Sequence, residues 1–131
     1  MALPQRHRLR GRRVFERLLR QGRRIHGNAM VLRLLPSNPA LLDQRDRRQP
    51  ASAWRCGVVV SGKVSKRAVV RNRMRRQLHA HLLTTLPAET GADGAEPQWL
   101  LLSLRPGSAE LDRDGLLGEC SDLLRRAGLT P

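Results

Sequence analysis

The 131-residue sequence contains few aromatic side chains, few cysteines and few acidic residues. It has no tyrosine, one phenylalanine and two tryptophans, so its core must be built mainly from leucine, valine and alanine. Its two cysteines, Cys56 and Cys120, form no Cys-x-x-Cys motif, which argues against a disulfide framework and a zinc site. No run of about eighteen apolar residues occurs, and the basic N-terminal stretch lacks the apolar segment of a secretory signal. The sequence therefore predicts a cytoplasmic protein with two plain thiols.

The charge is strongly one-sided, because 25 lysines and arginines stand against 11 acidic residues, for a formal net charge of +14. Such a charge opposes compaction unless a polyanion offsets it, which points to nucleic acid first and to an anionic membrane surface second. Residues 1–30 hold nine arginines and one acid, and residues 63–76 hold seven basic residues and no acid. These two blocks carry the whole excess, so the pattern predicts two cationic surfaces on a neutral scaffold.

Length and apolar periodicity predict one domain over residues 1–131 with the element order α-β-β-β-α-β-α. The helices are predicted over residues 12–21, over residues 68–86 and after an Asp112 cap, ending before Gly128. Two strands within residues 23–36 flank a turn at His26-Gly27-Asn28, and further strands cover residues 54–60 and 98–104. Residues 37–53 and 88–97 are predicted loops, compatible with flexible insertions. We expect an α+β fold, a two-layer sandwich with helices packed against a four-stranded sheet.

The second predicted helix combines an apolar stripe with a basic side. At about 100° per residue, Val70, Met74, Leu78 and Leu82 share one side. The remaining arc carries Asn72, Arg73, Arg75, Arg76 and His79. Such a row contacts successive phosphates without a fixed sequence, and Asn72 can tie the arginines together or bond a ribose. An ordinary solvated helix mixes charge signs, so the absence of acids favours a nucleic-acid surface over a helix made soluble by arginine.

The segment Ala68-Val-Val-Arg-Asn-Arg-Met-Arg-Arg76 resembles the Arg-Asn-Arg motif of the bacterial ribonuclease P protein family, and Ser61 and Lys63 resemble the lead-in to that motif. The resemblance extends upstream through Leu3-Pro4, Val14-Phe15 and residues 20–24. Downstream it covers the strand from Trp99 to Leu104 and the final helix. It therefore spans most of the chain outside the two predicted loops.

The resemblance implies a protein cofactor of a ribozyme that removes the 5′ leader of precursor transfer RNA, with catalysis by the RNA subunit and its Mg²⁺ ions. It implies a left-handed βαβ crossover through the motif helix, partners limited to ribonuclease P RNA and precursor transfer RNA, no membrane or DNA partner, and no catalytic or metal-binding side chain. The residues expected to contact RNA are Lys63, Lys66, Arg67, Arg71, Asn72, Arg73, Arg75, Arg76 and His79.

A second set of residues is expected, by the same resemblance, to line the cleft that receives the leader: Phe15, Leu19, Met30 and Arg33. The last three stand where members of the family often carry aromatic rings. Gly62 and His79 also depart from the family, which usually has a lysine and an arginine there. With Phe15 alone, the cleft is expected to rely on charge and apolar contact more than on base stacking.

Three alternatives remain open from the residues themselves. A ribosomal protein or RNA chaperone would have the same electrostatics without an effect on transfer RNA maturation. A protein-only nuclease would need an acid and a base from His7, His26, His79 and His81, but no paired carboxylates or His-x-Glu cluster accompanies them. A basic membrane-surface helix is disfavoured because the apolar stripe has no tryptophan or phenylalanine anchor.

Overall fold

The computed structural model describes residues 3–42, 53–86 and 97–130. Its three helices are α1 (Arg12–Gln21), α2 (Ala68–Thr85) and α3 (Arg113–Arg126). Its four strands are β1 (Arg23–His26), β2 (Met30–Pro36), β3 (Trp54–Val59) and β4 (Gln98–Leu104). The predicted α+β class and order of helices and strands are confirmed. Of the predicted loops, residues 43–52 and 88–96 lie outside the described residues, whereas Leu41 and Leu42 pack into the core beside α1.

The local features that end these elements follow the sequence. The side chain of Asp112 accepts a hydrogen bond from the Gly115 N–H at 2.7 Å, as predicted for the cap of α3. Gly128, just past the end of α3, has a φ of +79°, a left-handed conformation that favours glycine. The predicted turn between β1 and β2 is present at residues 27–29.

The four strands form one mixed sheet in the order β1-β2-β4-β3. Strands β1 and β4 run antiparallel to β2, and β3 runs parallel to β4. Because neighbouring parallel strands need a crossover, α2 carries the chain from the end of β3 back to the start of β4. This is the predicted βαβ unit, and its left hand stays an implication of the resemblance.

The sheet is buried on both faces, because alternate residues of each strand point to opposite sides. In β4, Leu100, Leu102 and Leu104 belong to a larger core with α2 and α3, whereas Trp99 and Leu101 belong to a smaller core with α1. Helix α1 therefore packs on one face of the sheet, and α2 and α3 pack on the other. The predicted apolar stripe of α2 is confirmed, with Met74, Leu78 and Leu82 buried and Val70 partly buried.

The N-terminal segment, which the sequence marked only by its charge, is folded onto the edge strand β3. Leu3 and Leu9 are buried, and the Leu9 N–H donates to the carbonyl oxygen of Cys56 at 3.2 Å. Buried Arg55 donates from its guanidinium to the carbonyl oxygens of Gln5 and Arg8, at 3.2 and 2.9 Å. The segment thereby covers a sheet edge that would otherwise expose unpaired backbone groups.

His7 anchors this segment. Its ring stacks on Trp54 with 4.1 Å between the ring centroids, and its Nδ1 atom lies 3.1 Å from the Trp54 carbonyl oxygen. Burial lowers the pKa of His7 from its usual 6.5, and the positive charges of Arg6 and Arg55 lower it further, against an opposing contribution from the hydrogen bond to Trp54. The neutral ring is therefore the form that the fold accommodates.

We expect the stability of the protein to fall as the pH drops. Because the folded-state pKa of His7 is lowered, the unfolded chain takes up the proton more readily, so this contribution is complete above pH 6.5 and is lost below it. Urea midpoints should decrease between about pH 7 and about pH 5, and less steeply in His7→Phe. His81, whose pKa is also lowered by burial, should supply the remaining slope. Equal slopes in both proteins would contradict this role of His7.

Glu119 of α3 holds the turn between β1 and β2. Its carboxylate accepts hydrogen bonds from the backbone N–H groups of Asn28 and Ala29, at 3.1 and 2.8 Å. A Cβ atom on Gly27 would lie 2.9 Å from the carboxylate oxygen, so only glycine leaves room for this contact. The turn is thus fixed by a residue about ninety positions away in the sequence.

Replacing Glu119 by alanine is expected to lower the free energy of unfolding by about 2 kcal/mol, because hydrogen bonds to charged groups typically contribute about 1.5–3 kcal/mol. Glu119→Gln keeps one acceptor oxygen and should lose less. Asp114→Ala, on the exposed first turn of α3, serves as the control with little expected change. Chemical denaturation measures all three; an alanine variant as stable as the wild type would contradict the role of Glu119.

Candidate RNA interface

The predicted RNA-contacting residues lie together on and just before α2. We call the side of α2 formed by Arg71, Asn72, Arg73, Arg75 and Arg76 the α2 basic face. Asn72, Arg73 and Arg76 are exposed, and Arg71 and Arg75 are half-buried. Lys63, Lys66 and Arg67 are exposed in the segment that leads into the helix, and His79 is half-buried one turn further along. Since Met74 and Leu78 are buried in the larger core, the basic side points away from the sheet.

Asn72 organises this face. Its side-chain oxygen accepts a hydrogen bond from the Arg75 guanidinium at 2.7 Å, and its backbone carbonyl accepts one from Nε of Arg76 at 3.3 Å. At the start of the helix, Arg71 donates to the Ser65 carbonyl oxygen at 2.9 Å. These bonds fix the directions of three guanidinium groups before any ligand binds.

The charge of the α2 basic face is not neutralised within the described part of the chain. The ion pairs found there join Arg12 to Glu16, and Arg125 and Arg126 to Asp122. None of them involves an arginine of the α2 basic face. Because several like charges repel one another along a single helix side, a polyanion is the ligand that this arrangement favours.

Asn72→Ala is expected to weaken binding to the RNA subunit about fivefold, since Arg75 would lose its partner and more conformational freedom would be lost on binding. The dependence of log K on log[salt] should stay unchanged, because the number of charges is the same. Gln77→Ala removes an amide from the same helix outside this face and is the matched control. Filter binding over a salt series measures both quantities; an altered slope in Asn72→Ala would contradict a purely orienting role.

A groove lies between α1 and the sheet, on the face opposite α2. We define the α1–sheet groove by Phe15 and Leu19 of α1 and by Arg33, Gly57 and Ser103 of the sheet. A Cβ atom on Gly57 would approach the Phe15 ring to 3.1 Å, so the ring rests directly on the glycine backbone. Leu19, one turn further along α1, is 52% exposed. Arg33 donates to the Ser103 hydroxyl at 3.4 Å.

Of the four residues expected to line the leader cleft, Phe15, Leu19 and Arg33 belong to the α1–sheet groove, but Met30 does not. Met30 is fully buried in the larger core, on the α2 side of the sheet. It shares that side with Leu32 and Leu34, because strand residues two apart point the same way. Its assignment to the cleft is therefore wrong, and the neighbouring Val31 occupies the groove side instead.

The four histidines occupy separate environments. His7 stacks on Trp54, His26 accepts a hydrogen bond from Arg105 at 2.9 Å, and His81 lies 2.7 Å from the Ser121 hydroxyl on α3. Among residues 3–42, 53–86 and 97–130, no three His, Cys, Asp or Glu side chains are grouped closely enough to hold a metal ion. None of the helices described is both long and apolar enough to span a membrane.

A single α+β domain with an acid-free arginine face on one helix and a groove beneath another defines a small RNA-binding protein. The family model described as Ribonuclease P matches residues 3–128. The chain therefore belongs to the ribonuclease P protein family, whose members bind RNA as the protein component of ribonuclease P. The alternatives of a ribosomal protein or an RNA chaperone are not favoured by this match.

Curated relatives agree over the full length. The chain is 52% identical over 129 residues to the ribonuclease P protein component of Parasynechococcus marenigrum (strain WH8102), covering 98% of both chains. It is 47% identical over 129 residues to that of Prochlorococcus marinus (strain MIT 9303), again covering 98% of both. These relatives share the family description and nearly the whole sequence length.

Solved structures share the fold. The Staphylococcus aureus RNase P protein matches with a TM-score of 0.72 at 16% identity, covering 95% of this chain and 98% of that one. The Thermotoga maritima RNase P protein, in complex with 1-(4-fluorophenyl)-2-thiourea, matches with a TM-score of 0.68 at 19% identity, covering 91% and 98%.

Proposed function

We propose that the α2 basic face binds the catalytic RNA subunit of ribonuclease P, and that the α1–sheet groove receives the 5′ leader of precursor transfer RNA. The observation that carries this proposal is the α2 basic face. Its arginines have no acidic partner in the described residues, and their helix is anchored to the sheet by Met74, Leu78 and Leu82. Planar guanidinium groups match phosphate oxygens in pairs, so a rigid row of them suits a folded RNA.

The two binding sites are separated by the sheet. Helix α2 packs on one face and α1 on the other, so RNA bound at the α2 basic face does not compete with a strand in the groove. The protein can therefore contact the RNA subunit and the substrate at the same time. Its contribution to the reaction is to neutralise phosphates and to position the leader relative to the RNA subunit.

Cleavage itself is assigned to the RNA subunit with Mg²⁺, as the resemblance implies; the bound metal supplies an activated water and charge stabilisation at the phosphate. The acidic residues described here do not fit such a site. Glu119 accepts two backbone N–H groups, Asp112 caps α3, and Glu16 and Asp122 pair with arginines. No step of this protein is therefore routed through the metal, and a cytoplasmic location stays a prediction.

Reconstitution with a cognate RNA subunit at low Mg²⁺ tests the proposal. The chain should accelerate cleavage of leader-bearing precursor by the RNA subunit, and the chain incubated alone with precursor should release no leader. Acceleration that is equal for precursors with long and with minimal leaders would reject the groove as the leader site. A chain that binds RNA but leaves cleavage unchanged would instead support the RNA chaperone alternative.

A further inference from the structure

Two arginines stand directly opposite each other on the groove side of the sheet. Arg24 of β1 is the register partner of Arg33 of β2. Their neighbours Ile25 and Leu32 point into the larger core on the other side, so alternation places both arginines on the side of the α1–sheet groove. Like charges at directly opposed positions destabilise an antiparallel pair, so this arrangement is unfavourable in the protein alone.

Arg33 is also incompletely satisfied. Its terminal nitrogen contacts the Ser103 hydroxyl at 3.4 Å, but its Nε atom is buried and has no hydrogen-bond partner within residues 3–42, 53–86 and 97–130. No ion pair there neutralises Arg24 or Arg33. A buried donor without an acceptor costs free energy, and an oxyanion that reaches the pair would remove both this cost and the like-charge repulsion.

A third arginine lies at the same end of the sheet. Arg105 follows β4 directly and donates to His26, the β1 residue paired with Val31. Val31 is in turn paired with Ser103, the residue that Arg33 contacts. Positive charge therefore continues across three strands at this corner of the groove.

The groove offers little surface for stacking bases. Phe15 is the only phenylalanine of the chain, there is no tyrosine, and both tryptophans are buried, Trp54 with 3% and Trp99 with 1% of its surface exposed. Leu19 adds apolar area but no ring. The groove is thus rich in unneutralised donors and poor in aromatic faces, which favours contact with a strand through its phosphates.

Resting on the proposed binding of the leader in this groove, we propose that Arg24 and Arg33 form a phosphate subsite, through which this chain holds the leader by its backbone rather than by base stacking. A single leader phosphate would accept from the Arg33 guanidinium and lie between the two opposed side chains. Recognition of this kind depends little on leader sequence and strongly on salt.

The test uses the reconstituted holoenzyme and measures affinity for precursor and for mature transfer RNA with Arg33→Gln, Arg24→Gln and the control Arg113→Gln on α3. Arg33→Gln should weaken precursor binding about tenfold and flatten the salt dependence by about 0.7 per lost phosphate contact. Binding of mature transfer RNA should not change. Arg33→Lys, which keeps the charge, should retain most of the salt dependence, and melting temperatures confirm that each variant folds.

Precursors with one neutral methylphosphonate in the leader identify the phosphate. The wild type should lose about tenfold in affinity at one leader position, and Arg33→Gln should lose nothing further there. Abasic substitutions in the leader should cost less than this methylphosphonate. Equal methylphosphonate effects in both proteins, or larger abasic effects, would overturn the subsite while leaving leader binding intact. A wild type that binds precursor and mature transfer RNA equally would overturn the leader groove itself.

Discussion

Replacing Arg73, Arg75 and Arg76 together by glutamine is expected to lower affinity for the RNA subunit about a thousandfold at moderate salt. Each arginine contributes a charge-assisted contact to phosphate, and each lost contact of this strength costs roughly tenfold. The slope of log K against log[salt] should decrease in magnitude by about two to three units, since each neutralised phosphate contributes about 0.7–0.9. Filter binding from low to moderate salt measures both values.

A charge-matched control separates a specific surface from the effect of net charge. Arg12, Arg113 and Arg125 lie outside the α2 basic face, and Arg12 and Arg125 are already paired with acids. Their combined replacement by glutamine removes the same formal charge but should change affinity only a fewfold. Equal losses in the two triple variants would mean that binding depends on total charge, and the α2 basic face would no longer be the RNA-binding site.

Met74→Asp is expected to prevent stable folding, because it places a charge where the Met74 side chain is 3% exposed inside the larger core. Burying an unpaired carboxylate is among the few single changes that cost more than about 4 kcal/mol, a large share of the stability of a domain of this size. Circular dichroism and thermal melts should show loss of the cooperative transition.

Val69→Asp provides the matched control on the same helix. Val69 is 59% exposed, so the same new charge stays in water and should change the melting temperature little. If both variants unfolded, helix propensity or charge at the start of α2 would explain the effect. If both remained folded, the orientation of α2 on the sheet would be wrong, and the α2 basic face with it.

Much of α2 could be predicted because one helix carries both parts of the argument. Its apolar residues recur every four positions while its arginines occupy the remaining arc, so a single period fixes which side is buried and which is basic. Met74, Leu78 and Leu82 are buried as expected, and Arg73 and Arg76 are exposed. No knowledge of the rest of the fold was needed for this result.

The strands behaved differently, and the leader cleft shows why. The run Leu100-Leu101-Leu102 is buried on both faces, with Leu101 towards α1 and its neighbours towards α2 and α3. When both faces are apolar, alternation leaves no trace in the sequence, so it does not reveal which side a residue faces. Met30 was misassigned for this reason.

The sequence by itself determined the number and kind of elements, the two basic blocks and the family motif, because these depend on local periodicity and composition. Only the tertiary structure decided the strand order, the burial of His7 and Arg55, the hold of Glu119 on a distant turn, and the opposition of Arg24 to Arg33. Each of these depends on pairing between segments far apart in the chain. Local propensity carries no information about such pairing; it is set by how the two faces of the sheet are filled.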